Sequence, residues 1–74
     1  MEQELDARRI LCPLPVIRTQ DAVAKLSPGD VLRVIATDPG VVYDIPAWCK
    51  VHGHKVLAIE EGREEIRLTI EVGG

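Results

Sequence analysis

Among the side chains of this 74-residue chain that could do chemistry, the first is Cys12, which is followed by Pro13, Leu14 and Pro15 where helix-like spacing begins. If Cys12 caps that helix, Pro13 and Pro15 fall in its first turn, where amide hydrogens have no helical partner and proline is tolerated. The helix dipole and the remaining free amides, that of Leu14 foremost, would then favour a thiolate. Each proline also removes a donor. The spacing therefore predicts a moderate lowering of the thiol pKa, assisted by Arg8, Arg9 or Arg18. The opposing reading is a buried apolar cysteine at a strand-to-helix corner, and spacing alone leaves both open.

The other reactive residues favour structural roles. Cys49 sits between Trp48 and Lys50 on a helical face shared with Ile45 and His52, which makes it a core residue; a resolving thiol for Cys12 is the alternative. Cys49, His52 and His54 are close in sequence but fall short of a four-ligand zinc pattern, so no metal is expected and the histidines border the end of a helix. Asp38 and Asp44 stand where Asp commonly caps a turn or a helix. No glycine-rich phosphate loop and no Ser/His/Asp constellation is present, and nothing in the pattern calls for a cofactor.

The chain that must position Cys12 is short, with room for one thin core. Tyr43 and Trp48 are its only aromatic residues and Phe is absent, so Val, Ile, Leu and Ala must build that core. No stretch reaches the roughly 20 apolar residues of a membrane span, and the acidic start MEQELD is unlike a signal peptide. A cytoplasmic location with two free thiols is expected. The net charge of −3 disfavours direct binding to nucleic acid. The charge is uneven: residues 1 to 33 balance five basic against five acidic groups, whereas residues 34 to 74 carry four against seven.

Residues 3 to 8 alternate as a short strand. From Pro13 to about Leu26, Val16, Thr19, Val23 and Leu26 recur in steps of three and four, which predicts an amphipathic helix ended by Ser27, Pro28 and Gly29. Val31 to Thr37 is apolar except at Arg33 and predicts an interior strand covered on both faces. After the Asp38-Pro39-Gly40 turn, Asp44 can cap a second helix with Pro46 in its first turn and Gly53 at its end. Residues 54 to 60 give a third strand. The acidic EEGREE stretch turns the chain into a fourth, in which Ile66, Leu68, Ile70 and Val72 share one face. The order βαβαββ implies an α+β fold, a two-layer sandwich of one four-stranded mixed sheet with two helices packed on it.

These segments resemble the TusA (SirA-like) sulfur-carrier family over essentially the whole chain, residues 1–74, as one carrier domain. The resemblance rests on Leu5-Asp6-Ala7, the Cys12-Pro13-Leu14-Pro15 motif, the Pro28-Gly29 turn, Thr37-Asp38-Pro39, and Asp44-Ile45-Pro46 with Cys49 in the following helix. It implies the same βαβαββ sandwich and sulfur carried as a persulfide on Cys12, in a sulfurtransferase-type role that is stoichiometric in a relay. A cysteine desulfurase or a rhodanese would be the donor and a downstream relay protein the acceptor, without a membrane. The pathways implied are tRNA 2-thiouridine formation, molybdenum-cofactor synthesis or dissimilatory sulfur oxidation. One departure is local: many members have glycine in the approach to the cysteine, where this chain has Arg8-Arg9-Ile10-Leu11, a bulkier and more basic loop.

Two other function classes remain open on sequence. One is a non-catalytic interaction or regulatory module in which the Cys-Pro-x-Pro segment is a rigid corner. The other is a thiol redox protein, weakened by the absence of Cys-x-x-Cys.

Overall fold

The computed structural model describes residues 2–73. Its elements run β1 (Glu2–Ala7), α1 (Leu14–Val23), β2 (Val31–Ala36), α2 (Val41–His52), β3 (Lys55–Glu61) and β4 (Ile66–Glu71), the expected βαβαββ order. The four strands form one mixed sheet in the order β1-β2-β4-β3. β1 lies parallel to β2, and β4 runs antiparallel to both β2 and β3.

Register explains the core. Leu5, Val34, Leu68 and Ile59 stand opposite one another across the sheet, as do Gln3, Leu32, Ile70 and Val56, and Ala7, Ala36 and Ile66. Strand side chains alternate between faces, so these rows lie on one face. Leu32, Val34, Leu68 and Ile70 are buried there under Val41, Ile45 and Cys49 of α2 and Val23 of α1. Each large aliphatic side chain so buried contributes about 2 kcal/mol. The clean alternation expected of the last strand is present, with Ile66, Leu68, Ile70 and Val72 all buried.

The expected double coverage of β2 needs correction. Arg33 is exposed on the outer face and pairs with Glu2 at 2.8 Å. Ile35, also outward, is buried between Asp6 and Arg67 in register, so charged neighbours cover it where helices do not.

Helix α2 also starts earlier than its proline suggests. Gly40 is its N-cap, Asp44 lies inside the first turn without capping it, and Pro46 is within the helix. The turn before it is closed by Val41 N–H on Asp38 O and Val42 N–H on Pro39 O, so Asp38-Pro39-Gly40 winds directly into the helix. At the other end Gly53 takes the left-handed conformation, φ 80°, and His54 N–H donates to Cys49 O. Glycine adopts that conformation without a side-chain clash.

Candidate functional site at Cys12

Parallel pairing of β1 and β2 places both their following loops at one end of the sheet. The first carries Cys12 and the second carries Asp38 and Gly40, and backbone N–H groups of the first bond side-chain oxygens of the second. Cys12 N–H donates to Asp38 Oδ2 at 2.8 Å, Gly40 N–H donates to Asp38 Oδ1 at 2.9 Å, and Arg9 N–H donates to Thr37 Oγ1 at 2.9 Å. Asp38 thus closes its own turn and also holds the backbone of the cysteine loop.

The Cys-Pro-x-Pro segment is arranged one residue later than expected. Pro13, not Cys12, is the N-cap of α1, and Pro15 occupies an early helical position. The Cys12–Pro13 peptide bond is cis. Leu14 N–H donates to Leu11 O at 3.0 Å, so the amide expected to face the sulfur is already occupied. Pro15 is buried and its carbonyl accepts from the hydroxyl of buried Thr19 at 2.8 Å. Pro15 therefore anchors the helix to the core, while Pro13 stays exposed.

The predicted lowering of the thiol pKa is reversed. The Cys12 thiol is pushed up to about 12, first by its hydrogen bond to Asp44, then by burial and by Asp38. Two negative charges disfavour a third beside them. Asp38 itself is held below the usual carboxylate range by the amides of Cys12 and Gly40. A Cβ at Gly40 would lie 3.3 Å from Cys12 Sγ, 3.3 Å from Asp38 Oδ1 and 3.7 Å from Asp44 Oδ2. The sulfur and the two carboxylates therefore surround the bare Cα of Gly40.

The arginines expected to assist the thiol are absent from the groups that shift it. Arg8 bonds Asp6 at 2.9 Å and Glu65 at 2.9 Å, which holds Asp6 down at about 2 and its own pKa above the usual value. Arg9 adds its charge to that of Arg8 at Asp6, and its backbone lies in the left-handed region at φ 65°. Arg18 is exposed on α1.

Cys12 is half-buried and Cys49 is buried in the core, and both are free. Burial alone pushes the Cys49 thiol up to about 11, in keeping with a packing role. His52 and His54 do more than border the helix: their rings lie 5.0 and 5.1 Å from that of Trp48. His54 Nδ1 accepts the N–H of Gly73 at 3.0 Å. Among the described residues no group of three His, Cys, Asp or Glu side chains is placed to hold a metal ion, and no helix is long and apolar enough to cross a membrane.

Around Cys12 three large apolar side chains remain exposed, Leu11, Leu14 and Ile17. Sequence reasoning missed Asp38 and Asp44 as neighbours of the sulfur. Local spacing explained each as a cap, and only the parallel pairing of β1 and β2 brings their loops to Cys12.

Comparison with known proteins agrees with this architecture. Residues 3–72 match the family described as sulfurtransferase TusA. The chain is 45% identical over 60 residues to the sulfur carrier protein TusA of Allochromatium vinosum, covering 81% of this chain and 79% of that one. It is 39% identical over 70 residues to YrkF of Bacillus subtilis, covering 95% of this chain and 38% of the relative, so it spans well under half of YrkF. The crystal structure of a SirA-like protein from Desulfitobacterium hafniense superposes with a TM-score of 0.83 at 26% identity, over 97% of this chain and 99% of that one. On the family match across residues 3–72 and the shared four-stranded sandwich, the chain belongs to the TusA family.

Proposed function

We propose that this chain, as a single domain, is a sulfur carrier that holds sulfane sulfur as a persulfide on Cys12. One observation carries the reading: Cys12 reaches the surface beside exposed Leu11, Leu14 and Ile17, while Cys49 is shut in the core. A carrier needs one thiol that partners can reach and no second thiol that would attack its cargo. Pro13 and Pro15 shape the loop that presents it, with Pro15 fixed in the core.

Loading is thiolate exchange. The Cys12 thiol loses its proton, its sulfur attacks the outer sulfur of a donor persulfide, and a new S–S bond forms on Cys12. The donor S–S bond breaks and its electron pair leaves with the donor cysteine as a thiolate. An acceptor thiolate repeats the exchange on the loaded Cys12. Because Asp38 and Asp44 keep the resting thiol neutral, loading is expected to depend on a docked donor that offsets their charge.

A cysteine desulfurase or a rhodanese is the donor class this chemistry fits, and a relay protein with a reactive thiol is the acceptor. The acceptor stage would serve tRNA 2-thiouridine formation, molybdenum-cofactor synthesis or sulfur oxidation. The role is a cytoplasmic one, and the net charge of −3 favours a downstream partner, not this chain, as the one that handles RNA.

The test is intact mass after incubation with a cysteine desulfurase and cysteine, or with a rhodanese and thiosulfate. Wild type should gain the mass of one sulfur and Cys12→Ser should not. No gain with any donor would support an interaction module instead, and a Cys12–Cys49 disulfide that thioredoxin reduces would support a redox protein.

A further inference from the structure

A persulfide on Cys12 offers an incoming thiolate two sulfurs. Attack on the outer sulfur forms the acceptor persulfide, breaks the S–S bond and releases the Cys12 thiolate. Attack on the inner sulfur joins the thiol to Cys12 as a disulfide and expels the cargo as hydrosulfide. Both are two-electron exchanges without an outside oxidant, and the weaker base is the better leaving group. Hydrosulfide is a much weaker base than the thiolate of Cys12, whose thiol titrates only at about 12. Left to intrinsic reactivity, the wasteful attack wins. A carrier on this scaffold must oppose it through access or charge.

The surroundings of Cys12 Sγ supply both. Cys12 packs against the core cluster, and the point that a Cβ on Gly40 would fill lies within 3.7 Å of the sulfur and of both carboxylates. Asp38 is fixed there by its two backbone donors, Cys12 N–H and Gly40 N–H. Asp44 reaches the same place from the first turn of α2. No arginine figures among the groups that shift the thiol, and Arg8 is taken up by Asp6 and Glu65. A persulfide turned towards solvent would carry its outer sulfur one S–S bond away from Sγ and from this ring.

We infer that Asp38 and Asp44, set around Gly40, shield the inner sulfur of the Cys12 persulfide and direct incoming thiolates to the outer one, an inference that rests on the persulfide reading above. The two aspartates are positioning residues: they take part in no bond that forms or breaks, and they decide which sulfur is reached. An ionised carboxylate at the inner sulfur repels an incoming thiolate, most when that thiol carries a second negative charge and least when its own ammonium offsets the first.

The experiment uses Asp44→Asn and Asp44→Ala, because Asp44 is exposed and holds no backbone donor, with thermal unfolding to verify that each variant folds. Wild type and variants are loaded with inorganic polysulfide, desalted, and mixed with near-stoichiometric mercaptoethanesulfonate or cysteamine. Acid-quenched samples are read by intact mass, with Cys12→Ser as the control for loading at Cys12. Outer-sulfur attack returns the bare protein, whereas inner-sulfur attack leaves the thiol attached.

Losing Asp44 also makes Cys12 a better leaving group, an effect common to both thiols. The readout is therefore the attached-to-bare ratio with the anionic thiol divided by that with cysteamine. This quotient should rise about fivefold in both variants, the effect of one unit charge at short range in water. An unchanged quotient, whether both ratios rise together or neither moves, would mean no charge shield; it overturns the inference and leaves the persulfide standing. If wild type gains no sulfur, the persulfide reading fails and this inference with it.

Discussion

Replacing Asp44 by Asn should make unloaded Cys12 a more reactive thiol. An ordinary cysteine here would titrate near the reference 9.0, and the structure places Cys12 at about 12. At pH 8 the thiolate fraction is then about one in ten thousand instead of about one in ten. Asp44 is the largest cause of that rise, ahead of burial and Asp38. Because Cys12 is half-buried, solvent screens part of the charge, and removing one carboxylate should increase the thiolate about tenfold.

The assay is pseudo-first-order alkylation by iodoacetamide from pH 7 to 11, followed by intact mass. Cys49 serves as an internal reporter of unfolding, since it is shut in the core. The wild-type rate should climb about tenfold per pH unit without levelling near 9, and Asp44→Asn should lie about tenfold above it at pH 8. The raised pKa fixes the sign for stability as well. The neutral thiol stabilises the fold below pH 9, and this contribution is lost as pH rises from 9 towards 12. Asp44→Asn should soften that alkaline loss. A wild-type profile that levels off near 9, or variant rates within twofold of wild type throughout, would refute the account of the two aspartates.

Further outcomes follow from the fold. Arg9 holds φ 65° without being glycine, so Arg9→Gly should raise stability by about 0.5–1 kcal/mol, or a few degrees in Tm; a lower Tm would mean that the arginine side chain outweighs its backbone cost. Leu68→Ala, at a fully buried position in the central row, should cost about 3 kcal/mol and lower Tm by more than about 10 °C in thermal unfolding. His54 is held below its ordinary pKa by burial and by His52, so its stabilising contribution is present above pH 6.5 and lost as pH falls below that. Trp48 fluorescence, with the His54 ring stacked 5.1 Å from it, should report a titration midpoint below 6.5 that is lost in His54→Gln. Arg8→Ala should leave the thermal midpoint little changed, since its ion pairs are exposed and screened by solvent; a large fall would refute that reading.

Local pattern was enough to read the elements, and long-range pairing accounts for most of what it missed. The alternation of Ile66, Leu68, Ile70 and Val72 and the helical spacing of Val16, Thr19 and Val23 express single faces of single elements, and those faces are buried as expected. Strand order is different, because nothing within β2 says whether β1 or β4 lies beside it. Asp44 shows how a valid local rule can mislead. An aspartate two residues before a proline fits a helix cap, yet the Asp38-Pro39-Gly40 turn is already wound tightly enough to start α2 at Val41. Cys12 was legible as the residue to single out, but not the sign of its pKa shift. Its carboxylate neighbours are 26 and 32 positions further along the chain, and they meet the sulfur only because β1 and β2 are parallel.

The direction of the strands also separates the thiol from the points where the described chain starts and stops. Glu2, Val31, Glu71 and Lys55 share one edge of the sheet, with Gly73 next to His54 there, while Cys12, Asp38 and the β3–β4 hairpin lie at the other. A six-residue strand puts about 20 Å between the two ends. Anything joined before Glu2 or after Gly73 is therefore attached at the far pole, like a handle. Such an arrangement leaves the Cys12 end of the sandwich clear of both attachment points. It also gives a geometric reason why the same fold can serve within a chain as long as YrkF, of which it matches 38%.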